Sequence, residues 1–294
     1  MRSARSYIKQ AFLLILTLFC VRALLQAQEE ETREVGRTTE NELKVTLTSS
    51  FGTIKITRGD PEKMVVVQSS SDEEQRMNMD YSIRNRVGYM DLTLGEGNQE
   101  EPEGKKGSFH ITDFHAGQWA LKFSDAVPIS FDIQLGVGKG DFDFSGLHVK
   151  DFNLSTGAGD VTLSFDEPNR STIENMNIES GVSKFEGRNL GNANFKHFRF
   201  QEGVGTSTLD FSGGLYSEVD VDVEVGMGVT TIIVPPHVGA RVTHDKSWAS
   251  KLECARDFHS TSDTEYVSEN YDDVPAKINI RVDSGLGSIK IRRH

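Results

Sequence analysis

The chain is poor in cysteine. Of its 294 residues two are cysteines, Cys20 and Cys254, and Cys20 lies in an N-terminal segment with the marks of a removable one. One thiol then remains, an intramolecular disulfide is excluded, and stability has to come from packing. Proline is also scarce, at 7 residues against 27 glycines, so the glycines read as turn residues rather than as low-complexity sequence. Basic residues are outnumbered 32 to 44, for a formal net charge of −12. Phosphate binding needs a basic face, so nucleic acid is excluded as a partner. Long apolar runs are missing too: the run over residues 11–21 is 11 residues long and is closed by Arg22, well short of the ~20 residues that span a bilayer. Helical periodicity is nearly absent, and only residues 247–257 read as a short helix.

What is present begins with a targeting pattern. Arg2, Arg5 and Lys9 precede the apolar run, and Leu25-Gln26-Ala27 offers a small-residue cleavage site, so residues 1–27 read as a secretory signal peptide. Retention as an anchor is the alternative; bulky Phe19 before Cys20 argues against a lipoprotein site. Residues 1–27 hold four basic and no acidic residues, so cleavage leaves a more acidic chain with no membrane span. Residues 28–41 are charged and aperiodic and read as a flexible leader.

From residue 128 to 235 one pattern recurs: an alternating polar/apolar run, a glycine-centred turn and a second alternating run. The anchors are Gly138, Gly157, Gly181, Gly203 and Gly226, spaced 19, 24, 22 and 23 residues apart. The pattern also begins and ends the domain, in SSFGTIKITR (49–58) and SGLGSIKIRR (284–293). A period near twenty marks a unit that cannot bury its apolar face alone and stacks on its neighbours. Counting back from each anchor, with Ser50 as the first and Gly285 as the last, positions −5 and −3 are apolar in all seven units (Phe152/Leu154 and Phe198/Phe200, for example). Positions −6 and −4 are polar in all seven. Each unit therefore has one dry and one wet face. After the anchor, positions +4 and +6 continue the apolar theme at Ile54/Ile56, Phe142/Phe144, Val161/Leu163 and Ile289/Ile291, and weaken at Ser207 and Thr230. The expected fold is an all-β, single-domain β-solenoid of stacked glycine-turn rungs of about 19–24 residues, spanning 42–294. It carries a polar loop at 95–107 and an insertion at 238–275. Strand-like runs at 64–68, 77–83, 88–94 and 119–123 read as degenerate rungs, and the glycines as corners where the chain reverses.

No set of residues assembles a catalytic or metal centre, and no cofactor is expected. Gly138–Asp141 and Gly157–Asp160 have the form of calcium-binding β-roll turns, but those repeat every nine residues and the other units replace the aspartate. His110, Asp113 and His115 lack zinc-site spacing, and Cys254 with His259 reads as a packed thiol. Arg58-Gly59-Asp60 sits at a natural turn, and Asn153 and Asn169 open glycosylation patterns. Acids do collect on the wet face, where Asp132, Asp151, Asp220 and Asp222 are joined by Asp143, as in β-helical polysaccharide enzymes. Asn175 and His197 intervene between the Asp151 and Asp220 rungs, so those acids form no close pair. The candidate binding face is the polar ladder of Asp132, Asp151, Asn153, Asn175, His197, Arg199, Asp220 and Asp222.

The succession Trp119-Ala-Leu-Lys-Phe-Ser, Pro128-Ile-Ser-Phe, Gly157-Ala-Gly-Asp, Leu209-Asp-Phe-Ser-Gly, Gly226-Met-Gly-Val and Gly285-Leu-Gly-Ser-Ile resembles the bacterial toast-rack domains. These occur in adhesin-like proteins and in membrane proteins of the cell-wall-active antibiotic response. The resemblance covers most of residues 43–293. It implies a β-solenoid-like domain in a bacterial envelope and carries over no catalytic residues. Antibiotic-response members have transmembrane helices ahead of the domain, where this chain has its signal-like segment. The function expected is that of a non-catalytic, exported interaction or structural module in the periplasm, at the cell surface or outside the cell. Its partner would be an envelope protein, a surface glycan or a second copy, and the alternative is a β-helical carbohydrate-active enzyme.

Overall fold

The computed structural model describes residues 30–70, 76–96, 117–245 and 250–294. The segment expected to be a signal peptide, most of the 95–107 loop and the His110/Asp113/His115 cluster lie outside them. Seven strands of 15 to 17 residues form the body: β2 (Glu42–Arg58), β7 (Ile129–Asp143), β8 (Val149–Ser164), β9 (Ile173–Arg188), β10 (Phe195–Asp210), β11 (Glu218–Val234) and β16 (Lys277–Arg293). They lie in that order and every adjacent pair is parallel. The fourteen residues assigned to the dry face are all buried, Phe152 and Phe200 to 0% exposure, and none of the fourteen wet-face residues is.

The glycine segments are not turns. Each long strand runs straight through its glycines, and the alternation changes phase there. In β8 the inward residues are Phe152, Leu154 and Thr156 before the glycines and Val161 and Leu163 after them. One extra residue shifts the alternation at the glycines, and because all seven strands shift at the same register their pairing stays one to one and both arms face one core. Phe144 ties successive rungs together, with ring centroids 5.0 Å from Phe131, 5.1 Å from Phe152 and 5.6 Å from Phe165. The glycines are required by proximity. A Cβ on Gly157 would lie 2.4 Å from the Gly136 carbonyl oxygen. One on Gly159, where φ is +145°, would lie 1.8 Å from that of Gly138.

Backbone pairing also corrects the alignment of one unit. Gly138 is level with Gly159, and the residue level with Gly157 is Gly136. The shift is two residues, which preserves inside and outside but moves every neighbour of β7. Ser207 and Thr230, where the apolar pattern weakened, occupy the inward +4 position and are buried at 1% and 0%.

At each end of the stack two short strands replace one bent strand. β5 (Val87–Glu96) pairs with the first arm of β2 and β6 (Gln118–Phe123) with the second. At the other end β12 (Gly239–Asp245) and β13 (Ser250–Glu253) divide β16 in the same way. The stretch read as a short helix thus contributes a strand. Two of the expected degenerate rungs, β3 (Lys63–Ser70) and β4 (Arg76–Arg84), run antiparallel on β6 and β5 and extend the sheet instead of stacking as rungs. The insertion over 238–275 supplies β12, β13, β14 (Phe258–Ser260) and β15 (Glu265–Ser268) to the far end. The stretch read as a flexible leader contains β1 (Glu30–Gly36), antiparallel to β3. An edge strand takes its backbone hydrogen bonds from one neighbour and keeps its side chains in water, so a polar, charged sequence forms one.

Candidate functional site

The polar ladder occupies the outer face of the first arm, in two rows. Asp132, Asn153, Arg199 and Asp222 share one row with Thr46, Asn177 and Arg281. In the row two residues earlier His197 lies between Asn175 and Asp220, and Asp151 beside Ser130. Asp132 and Asp151, placed in one row by the Gly138 anchor, are therefore in different rows. Neighbouring rungs bind one another along the face. Ser130 Oγ donates to Asp151 at 2.8 Å, Asn177 to Asn153 at 2.9 Å, and Asn279 to Asp220 at 3.2 Å. His197 Nδ1 lies 3.4 Å from Asp220, and Arg199 donates to Glu224 at 2.9 Å. Exposed pairs of this kind contribute about 0–1 kcal/mol each. Retaining or inverting hydrolysis needs one carboxyl held protonated opposite a second across a cleft, whereas this face is open and Asp151 and Asp220 are engaged by the Ser130 hydroxyl, the Asn279 amide and the His197 ring.

The other motifs resolve into structure. Asp160 lies level with Lys139, and Asp141 with Thr162, so the two Gly-x-Gly-Asp aspartates fall in different rows and make no cation ladder. Among the described residues no group of three His, Cys, Asp or Glu side chains converges as metal ligands. Burial pushes the Cys254 thiol up to about 11, which suppresses the nucleophilic thiolate. Asn169 is 6% exposed, and its amide donates to the carbonyls of Val149, Ser171 and Ala193. It is an internal strut of the return loops. Arg58 pairs with Glu167 at 3.3 Å, and Asp60 caps a turn by accepting from the Glu62 N–H at 2.9 Å.

The bend presents a surface that the ladder reading passed over. One residue after the anchor glycines, Phe51, Val137, Ala158, Val182, Val204, Met227 and Leu286 are level with one another across all seven rungs. Five of them are exposed: Val137 58%, Val182 60%, Val204 44%, Met227 46% and Leu286 45%. Alongside, an open groove of about 1080 Å³ crosses the strands. It follows the glycine row and the row two residues before it, which reads Thr48, Gln134, Ser155, Glu179, Gln201, Glu224, Asp283. The groove lining includes Glu179, Glu202, Glu224 and Asp283 and no lysine or arginine. The signal was present as an apolar residue between glycines (GVG, GAG, GMG, GLG), where no inward position calls for one.

Beneath the bend runs a buried polar seam. Thr156 Oγ1 and Ser180 Oγ are 3.1 Å apart, Ser180 bonds Ser183, and Ser207 Oγ lies 3.3 Å from Thr230 Oγ1. Glu202 sits in this seam at 3% exposure, with Oε2 accepting from Ser207 and Oε1 without a hydrogen-bond partner. Desolvation raises its carboxyl above the usual carboxylate range, against the opposing pull of hydrogen bonds from Ser207 and Ser183.

Family models match the chain in two consecutive parts that meet between β9 and β10. Residues 25–188 match the model described as the N-terminal domain of toast_rack, DUF2154. Residues 188–291 match that of the cell wall-active antibiotics response LiaF C-terminal domain. No curated protein sequence matches the chain. Among solved structures, a "putative cell adhesion protein" from Clostridium sporogenes is 17% identical, covering 90% of this chain and 99% of its own, with a TM-score of 0.45. A "putative adhesin" from Bacteroides fragilis is 11% identical, covering 90% and 98%, with a TM-score of 0.30. With its bent, glycine-lined rungs and a family match over more than half its length, the chain belongs to the toast-rack family.

Proposed function

We propose that the protein is a non-catalytic interaction module, exported to the bacterial envelope or beyond it, where it acts as an adhesin-like or envelope-stress accessory protein. The observation that carries this reading is the apolar row along the bend. Among the described residues the large apolar side chains left exposed are Ile83, Tyr89 and Tyr216, which are scattered, and Val137, Val182, Val204, Met227 and Leu286, which stand at equivalent positions on neighbouring rungs. Contiguous exposed apolar surface rimmed by polar residues marks an interaction site. The description of the family matched by residues 188–291 supports the envelope setting. The open ladder, with its acids shared among neighbours, supports binding over hydrolysis.

The test uses full-length protein and envelope extract. A specific partner should be retained by the wild-type chain and lost with Val182→Asp/Met227→Asp, at unchanged melting temperature. Release of sugar from envelope polysaccharide, abolished by Asp220→Asn/Asp222→Asn, would establish the carbohydrate-active alternative in its place.

A further inference from the structure

The spacing of the bend surface selects a shape of partner. Rungs repeat every ~4.8 Å, so the row from Phe51 to Leu286 is about 29 Å long. An α-helix advances 5.4 Å per turn, about 0.6 Å more than a rung, and offers one or two residues per turn to a flat neighbour, so about 20 residues of helix run the length of the row with about 5.4 turns against its six rung steps. An extended strand presents a side chain to one face only every ~6.6–6.8 Å and falls out of step within two rungs. A second copy of the chain fits poorly as well: a ridge of this length and one side chain in width covers far less than the ~800 Å² per partner of a stable dimer. Charge decides the rest. Glu179, Glu224 and Asp283 border the groove, with no basic residue in its lining; Glu224 is held by Arg199 at 2.9 Å, so the acidic charge offered to a partner comes chiefly from Glu179 and Asp283.

The geometry points to an amphipathic helix of a partner protein as the occupant, its apolar face on the Val137–Leu286 row and its Lys/Arg edge over Glu179, Glu224 and Asp283. The inference rests on the interaction-module reading and narrows it to one class of ligand. The glycine row is what permits the approach: from Gly136 to Gly285 no side chain stands there, so a helix can come close to the backbone.

The probe is a synthetic 20-residue Leu/Lys peptide with a 3.6-residue apolar period. Its controls are a peptide of equal composition with a 2-residue period and an acidic Leu/Glu helix. Anisotropy titrations of labelled peptide into full-length protein should show saturable binding of the basic helix alone. Val182→Asp and Val204→Asp should each weaken it about tenfold, and Glu179→Gln/Asp283→Asn should lower its salt dependence. These side chains are exposed, so variants should melt with the wild type; Val182→Ser serves if an aspartate variant does not. Equal binding of the period-2 peptide, or indifference to the Val182 and Val204 changes, overturns the inference. So does a protein dimer in sedimentation that those changes dissolve. Should the basic helix fail while an envelope glycan or protein is still captured through the bend row, the interaction reading stands and the helix is excluded.

Discussion

Ser207 Oγ donates a 2.5 Å hydrogen bond to Glu202 Oε2 from five residues further along the same strand, on the far arm of the bend. The phase change at the glycines makes this contact possible. An unbent strand would set the two side chains on opposite faces, whereas here both point inward, and with Ser183 and Thr230 they hold the bend from beneath.

Because burial raises the Glu202 carboxyl, the folded state favours its protonated form. Between the unfolded carboxylate range and the raised folded value the native state binds the extra proton, so this contribution is present at acid pH and is lost as pH rises through the folded value. Glu202→Gln should therefore flatten the fall in melting temperature as pH rises above the ordinary carboxylate range. It should be no less stable than wild type at pH 8, measured by thermal denaturation in a pH series. A parallel pH profile for both proteins would count against this.

Gly159→Ala should cost more than the ~1 kcal/mol of an ordinary glycine replacement. Its φ is +145° and the new Cβ would fall 1.8 Å from a carbonyl oxygen, so two rungs must part. Urea denaturation should place the loss at about 2 kcal/mol or more.

Phe152→Ala and Phe198→Ala should each cost about 3–5 kcal/mol. Both rings are buried, at 0% and 1%, and make edge contacts with Phe144 at 5.1 Å and Phe211 at 5.3 Å. Chemical denaturation should show both lowering stability within one cooperative transition, because the core is a single cluster.

Cys254 should alkylate slowly at pH 7, with a rate that climbs toward pH 10, since burial holds its thiol near 11. Unfolding in urea should accelerate the reaction, and Cys254→Ser should leave ligand binding unchanged. Rapid labelling of the native protein at neutral pH would contradict the packed environment.

The alternation was legible in the sequence because burial on a strand has a period of two, and Phe152/Leu154 or Val221/Val223 announce it without help. The register of β7 was not. Gly136, Gly138 and Gly140 alternate, share one parity and serve equally well as an anchor by pattern; only backbone pairing with Gly157 and Gly159 separates them. A bend within a strand and a turn also leave the same local trace, glycine between two alternating runs, so the bent strand read as a corner where the chain reverses. β1 was hidden because a strand paired on one side needs no apolar face, and Glu202 because a buried acid breaks the rule by which inward positions are found. The polar ladder was correctly placed on the outer face, while the row at Val137, Val182 and Met227 escaped because it belongs to neither arm's alternation.

The divided ends of the stack set its length. A bent strand can template only another bent strand, and at each end it gives way to two straight pieces, β5 with β6 and β12 with β13, of which β5, β6 and β12 are themselves paired on the outside by antiparallel β4, β3 and β15. The stack is thereby a ruler with stops at both ends, closed to the end-on growth that would make a fibre of it. Between the stops, rungs are interchangeable units, and a duplicated β8 or β9 would lengthen the surface by about 4.8 Å without disturbing either terminus.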